Sequence, residues 1–210
     1  GGVIVTNNKK FASKLFAIRN HAEAVATNSK KKLINMIGYN FRMGEIEASI
    51  GIEQLKKVKK RVQLKRNIAN RLNKGLKNLP GIIIPKARNA STHSYYIYPI
   101  ILDLNILKTG RNKIFNALKS EGVQGLIDKY INLHLYPMYQ KKIAYGSKHF
   151  PWSKSARNIS YSKGVCPVAE NLQQKTFLGI EICKFELKED DIQKIIKAFK
   201  KVWINIKKHE

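Results

Sequence analysis

Six apolar residues, Ile192, Ile195, Ile196, Phe199, Val202 and Ile206, recur at steps of three and four, the period that puts side chains on one face of an α-helix. Asp190 and Asp191 open this stretch and lysines gather toward its end, the charge order a helix dipole favours. The spacing predicts a helix over 190–206. A second stripe, Leu64, Ile68, Leu72, Leu76 and Leu79, has Lys and Arg between its members and is stopped at Pro80-Gly81. Helices apolar on one side only must lay that side on another element, so the chain has to fold in layers.

Short β-branched and aromatic runs supply the second layer. Strands are predicted over 82–84, 95–102, 122–126 and 176–182, and a buried strand over 3–6 ended by Asn7-Asn8. Asn8 predicts the cap of a helix carrying Phe11, Leu15 and Ile18. Met43, Ile46 and Ile50 predict a helix over 43–58, and Ile114, Ala117 and Leu118 another over 110–120. The segments 22–37 and 130–161 lack a stable period and read as loops, the second with short helices. Cys166 to Glu170 reads as a helix start with Pro167 in its first turn. The expected organisation is the tail of an α/β domain over 1–58, followed by a small α+β domain over 59–210.

Composition excludes several classes. A hydrophobic content of 43% over 210 residues is enough for a core and too high for a disordered basic tail. No apolar run approaches the length that spans a bilayer. Cys166 and Cys183 have no metal-ligand partners at useful spacing and are expected to be buried, reduced thiols, a structural disulfide being the alternative, with no metal site. The net charge of +26 raises a nucleic-acid module as an alternative. Against it, the basic residues spread along the whole chain, fall mainly between apolar helix positions and are not interleaved with a stacking platform of aromatics. No specific nucleic-acid partner is expected, only weak, salt-sensitive adhesion to polyanions.

The segment Gly38-Tyr39-Asn40-Phe41-Arg42-Met43-Gly44-Glu45 carries chemistry. It sets an amide and a guanidinium before a predicted helix start, where unpaired N–H groups and the dipole favour an anion. Arg42 adds a planar fork of donors and Asn40 an amide donor, both suited to phosphate oxygens. Against that stands the ordinary reading of Asn40 as a helix cap.

Read in order, these blocks resemble the DegT/DnrJ/StrS family of pyridoxal-phosphate-dependent sugar aminotransferases. Gly1-Gly2-Val3-Ile4-Val5-Thr6 is similar to its Gly-Gly strand, Arg19-Asn20-His21 to its Arg-Asn-His turn, and 38–55 to its Asn-x-Arg-Met loop and following helix. His93-Ser94-Tyr95-Tyr96, Tyr130-Ile131-Asn132-Leu133-His134 and Cys166-Pro167-Val168-Ala169-Glu170 follow in register over nearly the whole chain. The resemblance implies an α/β fold, the C-terminal part of a fold-type-I transferase: the end of the large domain, a connecting helix and the small domain. It implies pyridoxal 5'-phosphate as cofactor, with Asn40, and beside it Arg42, reaching the phosphate of the partner subunit's cofactor in a homodimer. Phe41 stands where many members carry Tyr. Tyr130 and His134 match the segment bordering the sugar-nucleotide pocket, where His134 would hydrogen-bond a hydroxyl or the diphosphate and Tyr130 would pack with one hydroxyl contact; a His between Leu133 and Leu135 reads equally as a satisfied structural residue. His93 and Tyr95 are expected to brace the small domain.

The family's Schiff-base lysine precedes the Gly-Gly strand, so it is expected upstream of Gly1, and the chain is expected to be a C-terminal fragment that is inactive alone. The implied reaction moves an amino group, commonly from glutamate, onto a keto group of a nucleotide-linked sugar, in the cytoplasm and toward surface polysaccharide. A dehydratase relative using pyridoxamine phosphate, with histidine in place of that lysine, is an alternative, as is a non-catalytic paralogue that only dimerises.

Overall fold

The computed structural model describes residues 2–23 and 36–207. The chain divides into two compact units, Gly1–Lys60 and Arg61–Glu210.

In the first unit, helix α1 spans Lys9–Arg19. Asn8 caps it as the sequence predicts, its side-chain oxygen accepting from the Phe11 N–H at 3.1 Å. Residues 3–6 are not a strand: they run without a pairing partner among the described residues, and Val3, Ile4 and Val5 lie exposed. A β-branched run has the local preference for a strand, but a strand exists only where another edge takes up its N–H and C=O groups. The loop expected over 22–37 lies for the most part outside the described residues.

The two helices expected over 43–58 and around Leu64–Leu79 are one, α2, Glu45–Leu76. No Pro interrupts the segment, and its lysines, arginines, glutamates and glutamines are good helix formers, so nothing local ends it. It stops at Leu76, four residues before Pro80, with the Leu79 N–H bonded to the Leu76 carbonyl at 2.9 Å. Ile68, Ala69, Leu72 and Leu76 are buried, whereas Ile46, Ile50 and Leu64 are exposed.

The second unit is a four-stranded antiparallel sheet in the order β1-β2-β4-β3 with helices against it. The strands are β1 Ile82–Ile83, β2 Tyr98–Leu102, β3 Leu126–Ile127 and β4 Phe177–Ile180. The strand expected over 122–126 is mostly a turn, because Gly122 and Gly125 take positive φ and break the extended run; pairing starts only at Leu126. Along β2, Tyr98, Ile100 and Leu102 are buried and their neighbours are not, the period of two that a sheet with one core face imposes. Helix α3 (Leu104–Leu107), unforeseen in the sequence, is capped by the Asp103 carboxylate; α4 follows over Arg111–Ser120. Two short helices, α5 (Pro137–Lys141) and α6 (Pro167–Asn171), each begin on a proline, and a π-helical turn, Leu172–Thr176, leads from α6 into β4.

The last helix, α7, spans Glu189–Lys207 with Glu189, Asp190 and Asp191 in its first turn. Its stripe of Ile192, Ile195, Ile196, Phe199, Val202 and Trp203 shares a core with Leu72, Leu76, Tyr98, Ile100, Ile114, Leu118, Leu178 and Ile180. Each such buried aliphatic stabilises the fold by about 1.5–3 kcal/mol relative to exposure. Two polar tips in the core are satisfied: Trp203 Nε1 donates to the Pro80 carbonyl at 2.8 Å, and Tyr98 Oη to Asn73 Oδ1 at 2.8 Å. Burial, and Tyr95 beside it, push the Tyr98 phenol well above its ordinary pKa, so it stays a donor. Cys166 and Cys183 are free thiols but exposed, not buried as expected, since both sit in turns at element ends. Among the described residues no helix is long and apolar enough to cross a membrane, and no cluster of His, Cys, Asp and Glu could hold a metal ion.

Candidate functional site

In the first unit, the loop over 38–42 folds back on the turn that ends α1. Three backbone bonds tie them: Tyr39 N–H to Ile18 O at 2.9 Å, His21 N–H to Tyr39 O at 3.1 Å, and Phe41 N–H to Arg19 O at 2.9 Å. Asn20 and Asn40 are thereby paired as an isolated antiparallel bridge. The approach needs a residue without Cβ at 38, because one built on Gly38 would stand 2.7 Å from the His21 carbonyl carbon and closer still to the Ala22 nitrogen. Two stretches separated by some twenty residues of sequence are held as one piece.

That pairing sets the side chains. The Arg42 guanidinium donates through Nη1 to Asn20 Oδ1. Asn40 Oδ1 accepts the Arg42 backbone N–H at 3.3 Å, which commits the amide oxygen and leaves the amide nitrogen as the available end. Among the described residues Arg42 makes no ion pair, and no acceptor is bonded to the Asn40 amide nitrogen. Asn40 is not the cap of α2, which starts five residues later. Nor is the N-terminus of α2 an anion seat: Glu45 and Glu47 occupy its first turn, and the Glu47 carboxylate lies over Gly44. Carboxylates complement the dipole there themselves, so an anion's donors on this loop are the Asn40 amide and the remaining N–H groups of Arg42. That donor set fits a phosphate group.

Tyr130 and His134 belong to the second unit, and both are held by the segment that contains α6 and the π-helical turn. The Tyr130 N–H donates to Gln173 Oε1. Its ring packs against Phe177 with centroids 6.4 Å apart and is half exposed, and partial burial with the Tyr96 hydroxyl beside it raises its pKa, keeping the phenol neutral. His134 Nε2 lies 3.0 Å from Glu170 Oε1, while the His134 carbonyl accepts from Gln140 Nε2 at 2.7 Å. Glu170 is buried and also accepts the N–H of Gly164, at 2.8 and 3.0 Å on its two oxygens, and that of Cys166 at 3.3 Å. The Gly164 bond first, then His134 and Cys166, outweigh burial and hold this carboxyl below the usual glutamate range.

Three participants escaped the sequence reading. Asn20 and Glu170 stood only as parts of recognisable blocks, although an amide or a carboxylate recurring within such a block was a signal to ask what it binds. Arg111, buried beneath the π-helical turn, left no signal at all among forty basic residues. His93 does brace the second unit: its carbonyl accepts from Arg66 Nε at 3.1 Å and its Nδ1 from the Tyr95 N–H at 2.9 Å.

Residues 1–180, which carry both groups of side chains, match the family model of the DegT/DnrJ/EryC1/StrS aminotransferase family. The chain belongs to that family. It is 28% identical over 211 aligned positions to the uncharacterized protein MJ1066 of Methanocaldococcus jannaschii, covering 96% of this chain and 49% of that protein. It is 29% identical to the GDP-perosamine synthase of Vibrio cholerae over 67% of this chain and 36% of the synthase. In structure it is similar to DesV of S. venezuelae, with a TM-score of 0.68 at 18% identity over 95% of this chain and 46% of DesV. The DegT family chain thus has the α/β fold of the fold-type-I pyridoxal-phosphate-dependent aminotransferases. It spans about half the length of these relatives, or less.

Proposed function

We propose that this chain forms the C-terminal part of a pyridoxal-phosphate-dependent aminotransferase, which moves an amino group, from a donor such as glutamate, onto a keto group of a nucleotide-linked sugar. The observation that carries this reading is the pairing of the 38–42 loop with the turn at Arg19-Asn20-His21, which sets Asn40 and Arg42 as donors on one loop, Arg42 held by Asn20, whose own amide nitrogen donates to Glu23 at 3.3 Å. Asn40 and Arg42 would hold the cofactor phosphate through charge-assisted hydrogen bonds. Bound there, pyridoxal phosphate would supply the electron sink that amino transfer needs. His134 and Tyr130 would border the sugar nucleotide, with neutral Tyr130 offering its hydroxyl and a ring face. The enzyme is read as a cytoplasmic homodimer in which Asn40 and Arg42 serve the partner subunit's cofactor. Membership of the family and the sugar nucleotide in the name of the Vibrio cholerae relative support the substrate class.

The test is direct. The full-length protein is incubated with pyridoxal phosphate, glutamate and a panel of nucleotide-linked keto sugars, and 2-oxoglutarate is measured with the aminated sugar. Stoichiometric appearance of both is the expected result. Water loss from the sugar without an amino group gained would favour the dehydratase reading instead.

A further inference from the structure

The bond between His134 and Glu170 decides which way the imidazole can face chemically. Glu170 Oε1 accepts from the Gly164 and Cys166 N–H groups as well as lying 3.0 Å from His134 Nε2, and Oε2 accepts from Gly164. With these donors turned on it, the Gly164 N–H foremost, the carboxyl is held below the usual glutamate range and is ionised near neutral pH. An ionised carboxylate only accepts, so the hydrogen in the His134 bond belongs to Nε2. A neutral imidazole carries one N–H, and Nδ1 is then left with its lone pair. Among the described residues Nδ1 makes no hydrogen bond. The His134 side chain keeps 13% of its surface exposed.

We propose that Glu170 is a positioning residue that holds His134 with its proton on Nε2, so that Nδ1 accepts a hydrogen bond from a hydroxyl of the sugar and does not engage the diphosphate. The inference rests on the reading that His134 borders the substrate, and it resolves the two partners that an imidazole could take there. A diphosphate offers only acceptor oxygens, which a lone pair repels; a sugar hydroxyl has a proton to give. With the imidazole neutral, the geometry around Glu170 makes His134 a reader of the hexose. Its carboxylate touches neither cofactor nor sugar and acts through the ring it orients.

Two measurements separate this inference from the functional reading beneath it. The first uses the chain itself, labelled with [15N]histidine, and reads the ring nitrogens of His134 near neutral pH. The expected spectrum has Nε2 in the protonated range and Nδ1 in the unprotonated range, and Glu170→Gln collapses this toward exchange between the two tautomers. Nδ1 in the protonated range in the unaltered chain overturns the proposal, whatever the variant does. The second uses the complete enzyme and His134→Ala, with nucleoside diphosphates presented with and without the linked hexose. Affinity for the sugar nucleotide should fall about three- to tenfold, the worth of one neutral hydrogen bond, while that for the bare nucleoside diphosphate stays unchanged. Loss of diphosphate affinity overturns the proposal. Unchanged affinity for both ligands, with the tautomer still fixed, instead removes His134 from the substrate site.

Discussion

Arg111 Nη1 donates to the Gln173 carbonyl at 2.8 Å, tying helix α4 to the π-helical turn that follows α6. A second bond from the same nitrogen reaches the Phe177 carbonyl at 3.4 Å, and Asp128 Oδ2 lies 3.9 Å from Nη2. A buried guanidinium thus satisfies carbonyls that the wide turn leaves open, and the turn in turn presents Gln173 to Tyr130. Arg111→Ala removes these donors and strands the carbonyls and Asp128. It is expected to lower stability by about 3 kcal/mol, read as a lower urea midpoint at unchanged slope. A loss below about 0.5 kcal/mol would mean that the turn stands without it.

Thr176, at the end of the same turn, is predicted to respond the other way. Its hydroxyl is buried with no partner among the described residues. Thr176→Val keeps the branched shape and deletes the unsatisfied group, so stability should rise by about 1 kcal/mol. A loss of that size would show that the hydroxyl has a partner after all. Urea denaturation of the two proteins side by side measures the sign.

Gly75 tests the packing of α2 on α7. In a helix, Gly→Ala ordinarily gains about 1 kcal/mol. Here a Cβ would stand 2.5 to 2.9 Å from three side-chain carbons of Ile196, itself buried in the core. Overpacking costs about 1–3 kcal/mol, so Gly75→Ala should be net destabilising by about 1 kcal/mol. Pairing it with Ile196→Ala should recover part of the loss; strict additivity in that double-mutant cycle would contradict the contact.

Glu170 predicts an acid limb. Its folded pKa lies below the unfolded value, through the Gly164 N–H first and His134 and Cys166 after it, so the unfolded chain binds the proton more readily. Its contribution is complete above the ordinary glutamate range, about pH 4.3, and is lost as pH falls through the lower folded value. Urea midpoints taken from pH 7 downward should therefore fall less steeply in Glu170→Gln than in the unaltered chain. Parallel slopes would mean that the carboxylate gains nothing from its three donors.

What was legible in the sequence follows from what is local. The period of α7, the Asn8 cap and the proline start of α6 depend on neighbours a few residues away, and each appears where the pattern places it. The strand expected at 3–6 needed an edge that no local pattern can supply. Residues 59–63 join two stripes that the apolar pattern alone separates, and no breaker stands between them. At the candidate site, Asn40 and Arg42 were visible as donors on a loop, and His134 as an imidazole with two possible partners. Their fixed partners, Asn20 and Glu170, lie 20 and 36 residues away in sequence, beyond the reach of any periodicity.

The phosphate role of Asn40 is tested most directly by Asn40→Asp. The carboxylate can still accept the Arg42 N–H, so the loop keeps its turn, but the amide donor becomes a negative charge. The measurement is the dissociation constant of pyridoxal phosphate from the complete enzyme, beside Asn40→Ala and Arg42→Ala. Removing a hydrogen bond to a charged group costs about 1.5–3 kcal/mol, so Asn40→Ala should weaken binding roughly tenfold to a hundredfold, and Asn40→Asp more than that. Cofactor affinity unchanged in Asn40→Asp and Asn40→Ala would contradict the account.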